Sequence, residues 1–215
     1  ILRNYTLRIL WLNNNMEHVW QKIDELRGSH KILGDQKTPI DVFSFFELDL
    51  GLDAIPFDDL DSNYRAEAAI TADFEGLYID AEQYSMLETA PVWKLNRLRF
   101  TIAHELGHYF WHKDLPQAED FKNIANFAKW TANYKGRKYT VEQEANEFAG
   151  RLLVPLNRIQ EMYDLFAPKA RSLVANFERN EQLRTQFAEK IAPKFGVNAQ
   201  VVTTRLDRDG IWAAA

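Results

Sequence analysis

Cysteine is absent from this sequence of 215 residues. Its absence excludes disulfides, thiol nucleophiles and cysteine-based metal sites. Any transition metal would have to be bound by histidine and carboxylate side chains. Because disulfide-rich proteins belong to oxidising compartments, the absence is also typical of the reducing cytoplasm, and we expect a cytoplasmic location.

Long apolar runs and a strong charge excess are lacking as well. No run approaches the roughly 18 apolar residues of a membrane-spanning helix, and Arg3 and Arg8 interrupt the apolar start of the chain. The sequence therefore predicts no signal peptide, membrane span or membrane partner. The 31 acidic and 26 basic residues give a formal net charge of -5, so no general attraction to nucleic acid is expected.

Two helices with defined ends are predicted from the pattern of apolar residues. The first is expected over residues 93–112, where apolar positions recur at helical spacing. The second is expected to begin at Thr140, the N-cap of a Thr-Val-Glu-Gln capping box, and to end before Pro155. Between them, residues 119–138 are predicted to form a helix followed by a loop.

Short strands are predicted at residues 69–71 and 77–79, with a turn-like stretch at residues 73–76 between them. Strands so close in sequence predict a small antiparallel sheet. An amphipathic helix with Val19 and Ile23 on its apolar face precedes them, and further helices are expected after the second well-bounded helix. The pattern as a whole indicates an α+β fold.

Residues 104–108, His-Glu-Leu-Gly-His, match the H-E-x-x-H pattern on the first of the two helices. Residues four apart lie one turn above each other on one helix face, so the imidazoles of His104 and His108 can bind one ion. Arg97 and Thr101 share this polar sector, which we interpret as the wall of a cleft. Two solvated histidines are the alternative; it is disfavoured because a whole helix face would carry titratable groups without a packing gain.

A catalytic zinc ion has three protein ligands and one open position, so another segment must supply the third ligand. The second helix offers Glu142, Glu144 and Glu147. Helical spacing places Glu144 and Glu147 beside Arg151, and we expect both glutamates to be solvated, with Glu147 and Arg151 as an ordinary surface pair. Glu142 shares its face with small residues that permit a close helix approach, and it is the predicted third ligand.

Two further residues are expected to support the site without binding the metal. The spacing of Glu142 and Asn146 resembles the E-x-x-x-D arrangement of thermolysin-like enzymes, in which the polar residue one turn on supports a metal-bound histidine, so Asn146 is expected to orient such a histidine. His112 repeats the four-residue spacing, but a straight helix carries it about 6 Å further along the axis from His108. This distance favours a supporting or structural role for His112.

The motif predicts a hydrolytic mechanism with Glu105 as general base. The zinc ion lowers the pKa of water toward about 7, and Glu105 removes the proton as water attacks a peptide carbonyl and later gives it to the leaving amine. The residue that stabilises the oxyanion besides the metal is left open by the sequence. The chemically able candidates are Tyr109, Tyr134, Tyr139, Arg97 and His112.

Three blocks together resemble the ImmA/IrrE metallopeptidases: RFTIAHELGH at residues 99–108, EQEANEFA at 142–149 and LLVP at 152–155. Upstream, PIDV at residues 39–42 and GLYID at 76–80 look like the opening helix of that family and the strand before its metal helix. The resemblance covers roughly residues 38–155, with weaker similarity in the helical tail.

The resemblance implies a zincin-like fold, with an N-terminal helical extension at residues 1–37, a metallopeptidase domain at 38–160 and a helical C-terminal region at 161–215. It also implies site-specific cleavage of a helix-turn-helix repressor, which would derepress mobile-element, phage or stress-response genes. His104, His108 and Glu142 match the family's Zn²⁺ ligands. Glu105 matches its catalytic glutamate.

Two alternatives are weighed against a repressor-cleaving enzyme. The first is a binding partner of a repressor or toxin that retains the zinc site and acts without cutting, which the intact Glu105 disfavours. The second is direct DNA binding through the C-terminal helices. The local basic surplus there is modest. A helical hairpin that packs on the catalytic domain or grips the repressor also explains it and is preferred, so direct nucleic-acid binding is disfavoured. The basic residues concerned are Arg184, Lys190, Lys194, Arg205 and Arg208.

Overall fold

The structure is a computed structural model that describes residues 2–34, 38–113 and 138–214. Its helices are α1 (Leu2–Ser29), α2 (Lys31–Gly34), α3 (Val42–Ser44), α4 (Leu60–Tyr64), α5 (Ala81–Ser85), α6 (Val92–Trp111), α7 (Lys138–Leu153), α8 (Leu156–Leu173), α9 (Glu181–Ile191) and α10 (Ala199–Arg208). A π-helical segment (Phe45–Asp49) continues α3, and 3-10 helices lie at Phe177–Arg179, Ala192–Lys194 and Ile211–Ala214. Among these described helices, none combines the length and apolar character needed to cross a membrane.

The sheet has three described strands in the order β1-β3-β2, with β1 at Asp53–Phe57, β2 at Ala68–Ile70 and β3 at Gly76–Asp80. Strand β2 pairs with β3 in the antiparallel sense, as predicted, whereas β1 pairs with β3 in the parallel sense. The α+β class is therefore confirmed. The prediction of a purely antiparallel sheet is wrong, because the sheet is mixed.

The sequence does not predict strand β1, and the reason is physical. It is an edge strand whose residues are at most half-buried, so it lacks the strict alternation of apolar and polar residues that marks a half-buried strand. Pro56 lies within it, and proline is confined to strand edges because it cannot donate a ladder hydrogen bond. The local signal therefore argued against a strand at this position.

The two helices that matter for the site lie close to where the sequence places them. Helix α6 begins directly after Pro91 and ends at Trp111, within one residue of the predicted bounds. Helix α7 begins at Lys138, so Thr140 lies inside it and is not the N-cap. Residues 119–137, predicted as helix and loop, lie outside the described part of the chain.

The chain forms two compact units: residues 41–149, and residues 1–40 together with 150–215. The core of the first unit contains fully buried apolar side chains from the π-helical segment, the sheet and α6, namely Phe45, Phe46, Leu77, Ile79, Ile102 and Leu106. In the second unit an aromatic cluster joins α8, α9 and the 3-10 helices, and consists of Tyr163, Phe177, Phe187 and Trp212. The boundaries at residues 37 and 160 that the resemblance implies stay predictions.

Buried arginines in the second unit change the interpretation of two charged residues. Arg205, at 1% exposure, donates to Asp209 Oδ2 over 2.5 Å. Arg151 also binds Asp209, over 2.8 Å, and its guanidinium lies 3.7 Å from the centre of the Trp20 ring. Arg151 is thus not part of a solvated surface pair, and Arg205 adds nothing to a basic surface for nucleic acid.

Asp80 joins three elements at the end of β3. Its Oδ1 accepts from the Gln83 N–H at the start of α5, over 3.2 Å, and its Oδ2 accepts from the Asp61 N–H in α4, over 3.0 Å. The side chain is buried, so neither amide would gain a full replacement partner from water if the carboxylate were removed. Asp80 therefore anchors both short helices to the sheet.

We expect Asp80→Ala to lower the free energy of unfolding by about 1–3 kcal/mol, because it leaves two partly buried N–H groups without an acceptor. Asp80→Asn keeps one acceptor oxygen and should lose less. Urea denaturation of the two variants and the parent measures the effect. Equal midpoints for the alanine variant and the parent would contradict this role of Asp80.

Candidate metal centre

Helix α6 supplies two of the predicted ligands from consecutive turns. Its apolar face, with Leu98, Ile102 and Leu106, is fully or almost fully buried, and this burial fixes the rotation of the helix. His104 and His108 consequently lie on the side toward α7, with their Nε2 atoms 3.1 Å apart. The helix therefore places the Nε2 atoms of both histidines where they can bind the same ion.

Helix α7 approaches α6 unusually closely at the motif itself. A Cβ atom added to Gly107 would lie 2.7 Å from the Cα and 3.2 Å from the Cβ of Ala145, and the first of these distances is shorter than packed protein atoms adopt. Only glycine fits at this position. Ala145 is not one of the small residues that the sequence predicts on the face of Glu142, and a Cβ on Gly150, which is one of them, would instead meet the Arg205 side chain at 3.3 Å.

The close approach brings Glu142 of α7 to both imidazoles. Its Oε2 lies 3.2 Å from His104 Nε2, and its Oε1 lies 3.8 Å from His108 Nε2. Ligand atoms about 2.0–2.2 Å from a tetrahedral ion are separated by about 3.3–3.6 Å. The three side chains therefore offer nitrogen and oxygen donors of the type and spacing that a tetrahedral Zn²⁺ requires.

The second ring nitrogen of His104, Nδ1, contacts Asn146. Asn146 Nδ2 donates to the main-chain oxygen of Glu142 over 2.7 Å, so its Oδ1 faces His104 Nδ1 at 3.3 Å. An amide oxygen only accepts, which places a proton on Nδ1 and a lone pair on Nε2 of a neutral His104. Burial disfavours the charged ring, but the hydrogen bond and charge of Glu142 and the charge of Glu105 outweigh it and raise the pKa of His104.

The second ring nitrogen of His108, Nδ1, contacts another histidine, His112. His108 Nδ1 lies 2.8 Å from His112 Nδ1, and His112 Nε2 lies 3.2 Å from Glu144 Oε2. Burial, together with the charges of His104 and His112, holds the pKa of His108 well below its usual value, so the ring is neutral. The expectation that Glu144 and Glu147 are solvated is wrong, because Glu144 contacts His112 and Glu147 is buried.

Glu105 points to the other side of α6, toward the sheet. Its Oε2 accepts from the Ile70 N–H of β2 over 2.9 Å, and its carboxylate lies within 4.8 Å of the ligand atoms of His104 and His108. Burial raises the pKa of Glu105 to about 7, against the lowering effect of His104 and the Ile70 N–H. Since Ile70 fixes one oxygen, Glu142 is better placed than Glu105 as the third ligand.

A cleft of about 290 Å³ opens beside these residues, lined in part by Arg97, Thr101, His104 and Glu105. The interpretation of this helix sector as a cleft wall is confirmed for these four. Of the oxyanion candidates, Arg97 lines the cleft with a half-exposed side chain, whereas His112 is buried. Tyr134 and the Tyr139 side chain lie outside what the structure describes.

Sequence reasoning missed the buried carboxylate of this cleft. Glu67 is 4% exposed, and it accepts from Arg97 Nε over 2.9 Å and from Thr101 Oγ1 over 3.2 Å. It precedes β2 in a segment without a recognisable motif, so nothing local marked it. Gly107 was missed as well, although a glycine inside a helix costs about 1 kcal/mol and thereby signals a close approach.

Comparison with known proteins gives one match. The sequence model of a peptidase family described as the IrrE N-terminal-like domain matches residues 94–207, which is more than half of the chain and includes α6, α7 and the helices up to α10. The match begins later than the resemblance read from the sequence and extends further toward the C-terminus. A search of curated proteins finds no significant match.

We expect Gly107→Ala to lower the free energy of unfolding by about 1–3 kcal/mol, because the new methyl group overlaps the Ala145 backbone. It should also weaken divalent metal binding by moving Glu142 away from the imidazoles. Thermal unfolding and metal analysis after dialysis measure the two effects. The matched control is Gly28→Ala, a helical glycine with no atom within 4 Å of the added Cβ; it should leave metal binding intact, and equal behaviour of the two variants would contradict the packing argument.

A second prediction concerns pH and Glu67. Burial, opposed by Arg97, raises the pKa of this carboxyl above 4.5 in the folded chain, so the native state binds more protons than the unfolded state as pH rises above that value. Its contribution to stability is therefore lost with rising pH. We expect Glu67→Gln to gain stability relative to the parent between pH 4 and pH 7 in denaturation experiments.

The exposed Glu75 provides the control for this experiment. Glu75→Gln should keep a nearly constant stability difference from the parent over the same pH range. A constant difference for Glu67→Gln as well would show that burial does not raise the pKa of Glu67.

Proposed function

The chain belongs to the IrrE N-terminal-like peptidase family, and from this premise we propose that it is a zinc-dependent endopeptidase with a zincin-like catalytic domain. The observation that carries the proposal is the convergence of His104 Nε2, His108 Nε2 and the Glu142 carboxylate within 3.1–3.8 Å of one another. Two imidazoles and one carboxylate, with a further position open, form a frequent ligand set of catalytic zinc. When bound, Zn²⁺ lowers the pKa of water toward about 7 and polarises the peptide carbonyl.

We assign the proton transfers to Glu105. The Ile70 N–H holds Oε2, which leaves Oε1 to take a proton from the attacking water and to return it to the leaving amine. Water and the peptide bond are thereby converted into a carboxylic acid and an amine, and Glu105 ends in its starting state. Burial of the carboxyl supports this role, since a general acid and base works best with a pKa near the operating pH.

Strand β2 supports an extended peptide as substrate. Glu67 O accepts from Asp80 N and Thr71 N donates to Gly76 O, so alternation along the antiparallel ladder turns the backbone groups of Ala68 away from β3. No described strand pairs with that outer edge of β2, and Ala68 lines the cleft. A substrate segment can pair there as an added strand.

We further propose that the substrate is a helix-turn-helix repressor, cut at one site in the cytoplasm so that mobile-element, phage or stress-response genes are derepressed. The support for this step is the family resemblance of the motif blocks. The paired Arg184 and buried Arg205 favour a protein substrate over nucleic acid as the main partner.

The deciding experiment is Glu105→Gln in the zinc-loaded chain, assayed with a purified helix-turn-helix repressor encoded beside the gene. We expect cutting to fall by at least about 10²-fold, because amide oxygen cannot serve as a general base. Metal content should stay at the parent level, because the three ligands are untouched. Gel analysis of the repressor and metal analysis of the protein give the two readouts.

Glu75→Gln is the control, since it makes the same chemical change at an exposed turn residue and should cut like the parent. Cutting that survives Glu105→Gln would overturn the role of Glu105. Tight repressor binding without cutting by the zinc-loaded parent would favour the rival function, regulation by sequestration.

A further inference from the structure

We propose that Glu144 and His112 form a relay that fixes His108 as the tautomer with its proton on Nδ1 and its lone pair on Nε2. The inference rests on the proposed function, in which His108 Nε2 binds zinc. In this relay His112 and Glu144 are positioning residues that act on the metal through His108. They orient His108 independently of the Asn146 contact that orients His104.

The geometry of the relay is continuous. His104 and His108 lie on consecutive turns of α6, His112 is the C-cap residue directly after the helix, and the ring centres are 4.8 Å apart at each step. The contact between His108 Nδ1 and His112 Nδ1 measures 2.8 Å, and that between His112 Nε2 and Glu144 Oε2 measures 3.2 Å. His108 and His112 are both buried, at 4% and 6% exposure, so water has little access to these hydrogen bonds.

The carboxylate sets the direction of every proton in the chain of contacts. Ionised Glu144 only accepts, so His112 Nε2 donates to it. When this is the single proton of His112, its Nδ1 has a lone pair and accepts from His108 Nδ1. Because neutral His108 carries one proton, its Nε2 is left with a lone pair directed at His104 and Glu142.

The opposite order would be incompatible with the site. If His112 carried a proton on Nδ1, His108 Nδ1 would have to accept, and the single proton of His108 would lie on Nε2 among the ligands. A protonated Nε2 cannot bind a metal. The contact at His108 Nδ1 thus decides whether His108 Nε2 can bind the metal.

The relay also predicts which of its two residues, His112 or Glu144, affects zinc binding more. His112 touches the ligand directly, whereas Glu144 acts one ring away. Loss of the His112 acceptor should therefore weaken zinc binding more than neutralisation of Glu144. Removing an outer partner of a metal-bound histidine typically weakens metal affinity about 10–100-fold.

The experiment measures the Zn²⁺ affinity of the full chain by competition with a chromogenic chelator. We expect His112→Phe, which retains the ring but has no acceptor, to bind zinc about 10–100-fold more weakly than the parent. His112→Asn should recover most of this loss, since its amide oxygen occupies the place of Nδ1, and Glu144→Gln should lose less than His112→Phe.

Nitrogen-15 NMR of the zinc-loaded parent provides a readout that a merely structural role would not move. Long-range proton–nitrogen spectra should show the proton of His108 on Nδ1 and that of His112 on Nε2. A proton on His112 Nδ1 would overturn the relay, as would parent-like zinc affinity in His112→Phe. If the phenylalanine variant does not fold, His112→Gln replaces it, because the longer amide reaches the position of Nε2 and not that of Nδ1.

His104→Ala separates failure of the relay from failure of the proposed function. If the parent binds zinc no better than His104→Ala, the metal site itself is wrong and the relay falls with it. If binding depends on His104 but is unchanged in His112→Phe, the zinc site stands and only the relay is refuted.

Discussion

The contact between Gly107 and Ala145 is the constraint on which the site depends. The two proposed ligands of α6 are four residues apart on one helix, whereas the third proposed ligand, Glu142, lies on α7. Its distance from the histidines is set by how closely the two backbones approach. A methyl group at position 107 would collide with the Ala145 backbone. The glycine inside the motif thus serves packing, while His104, Glu105 and His108 of the same motif have the proposed chemical roles.

The sequence predicted most of the residues that the structure brings together. Helical periodicity and the H-E-x-x-H spacing placed His104 and His108 correctly on α6, and face analysis of α7 selected Glu142, which contacts both imidazoles. Asn146, selected by a resemblance in spacing, contacts His104. These predictions succeed because each depends on the geometry of one helix. The roles of these residues in binding zinc and in catalysis remain proposals.

The failures share a different physical cause, because each depends on contacts between distant segments. A helical wheel predicted that Glu144 and Arg151 are solvated, because it shows only residues of the same helix. In the structure His112 contacts Glu144, and both Trp20 and Asp209 contact Arg151. Strand β1 is held by parallel pairing with β3 and carries a proline, so its own residues gave no strand signal. Glu67 is defined only by the arginine and threonine that α6 brings to it.

The hydrogen bond from Ile70 to Glu105 has a consequence for fidelity. The same short strand positions the carboxylate through the Ile70 N–H, and Ala68, whose backbone groups also point away from β3, lines the cleft. Under the proposed function, a polypeptide that docks out of register and pulls β2 from α6 would also disturb the carboxylate of Glu105. Poorly fitted chains would thereby be cut slowly even when they bind, so discrimination can arise at the turnover step as well as at the docking step.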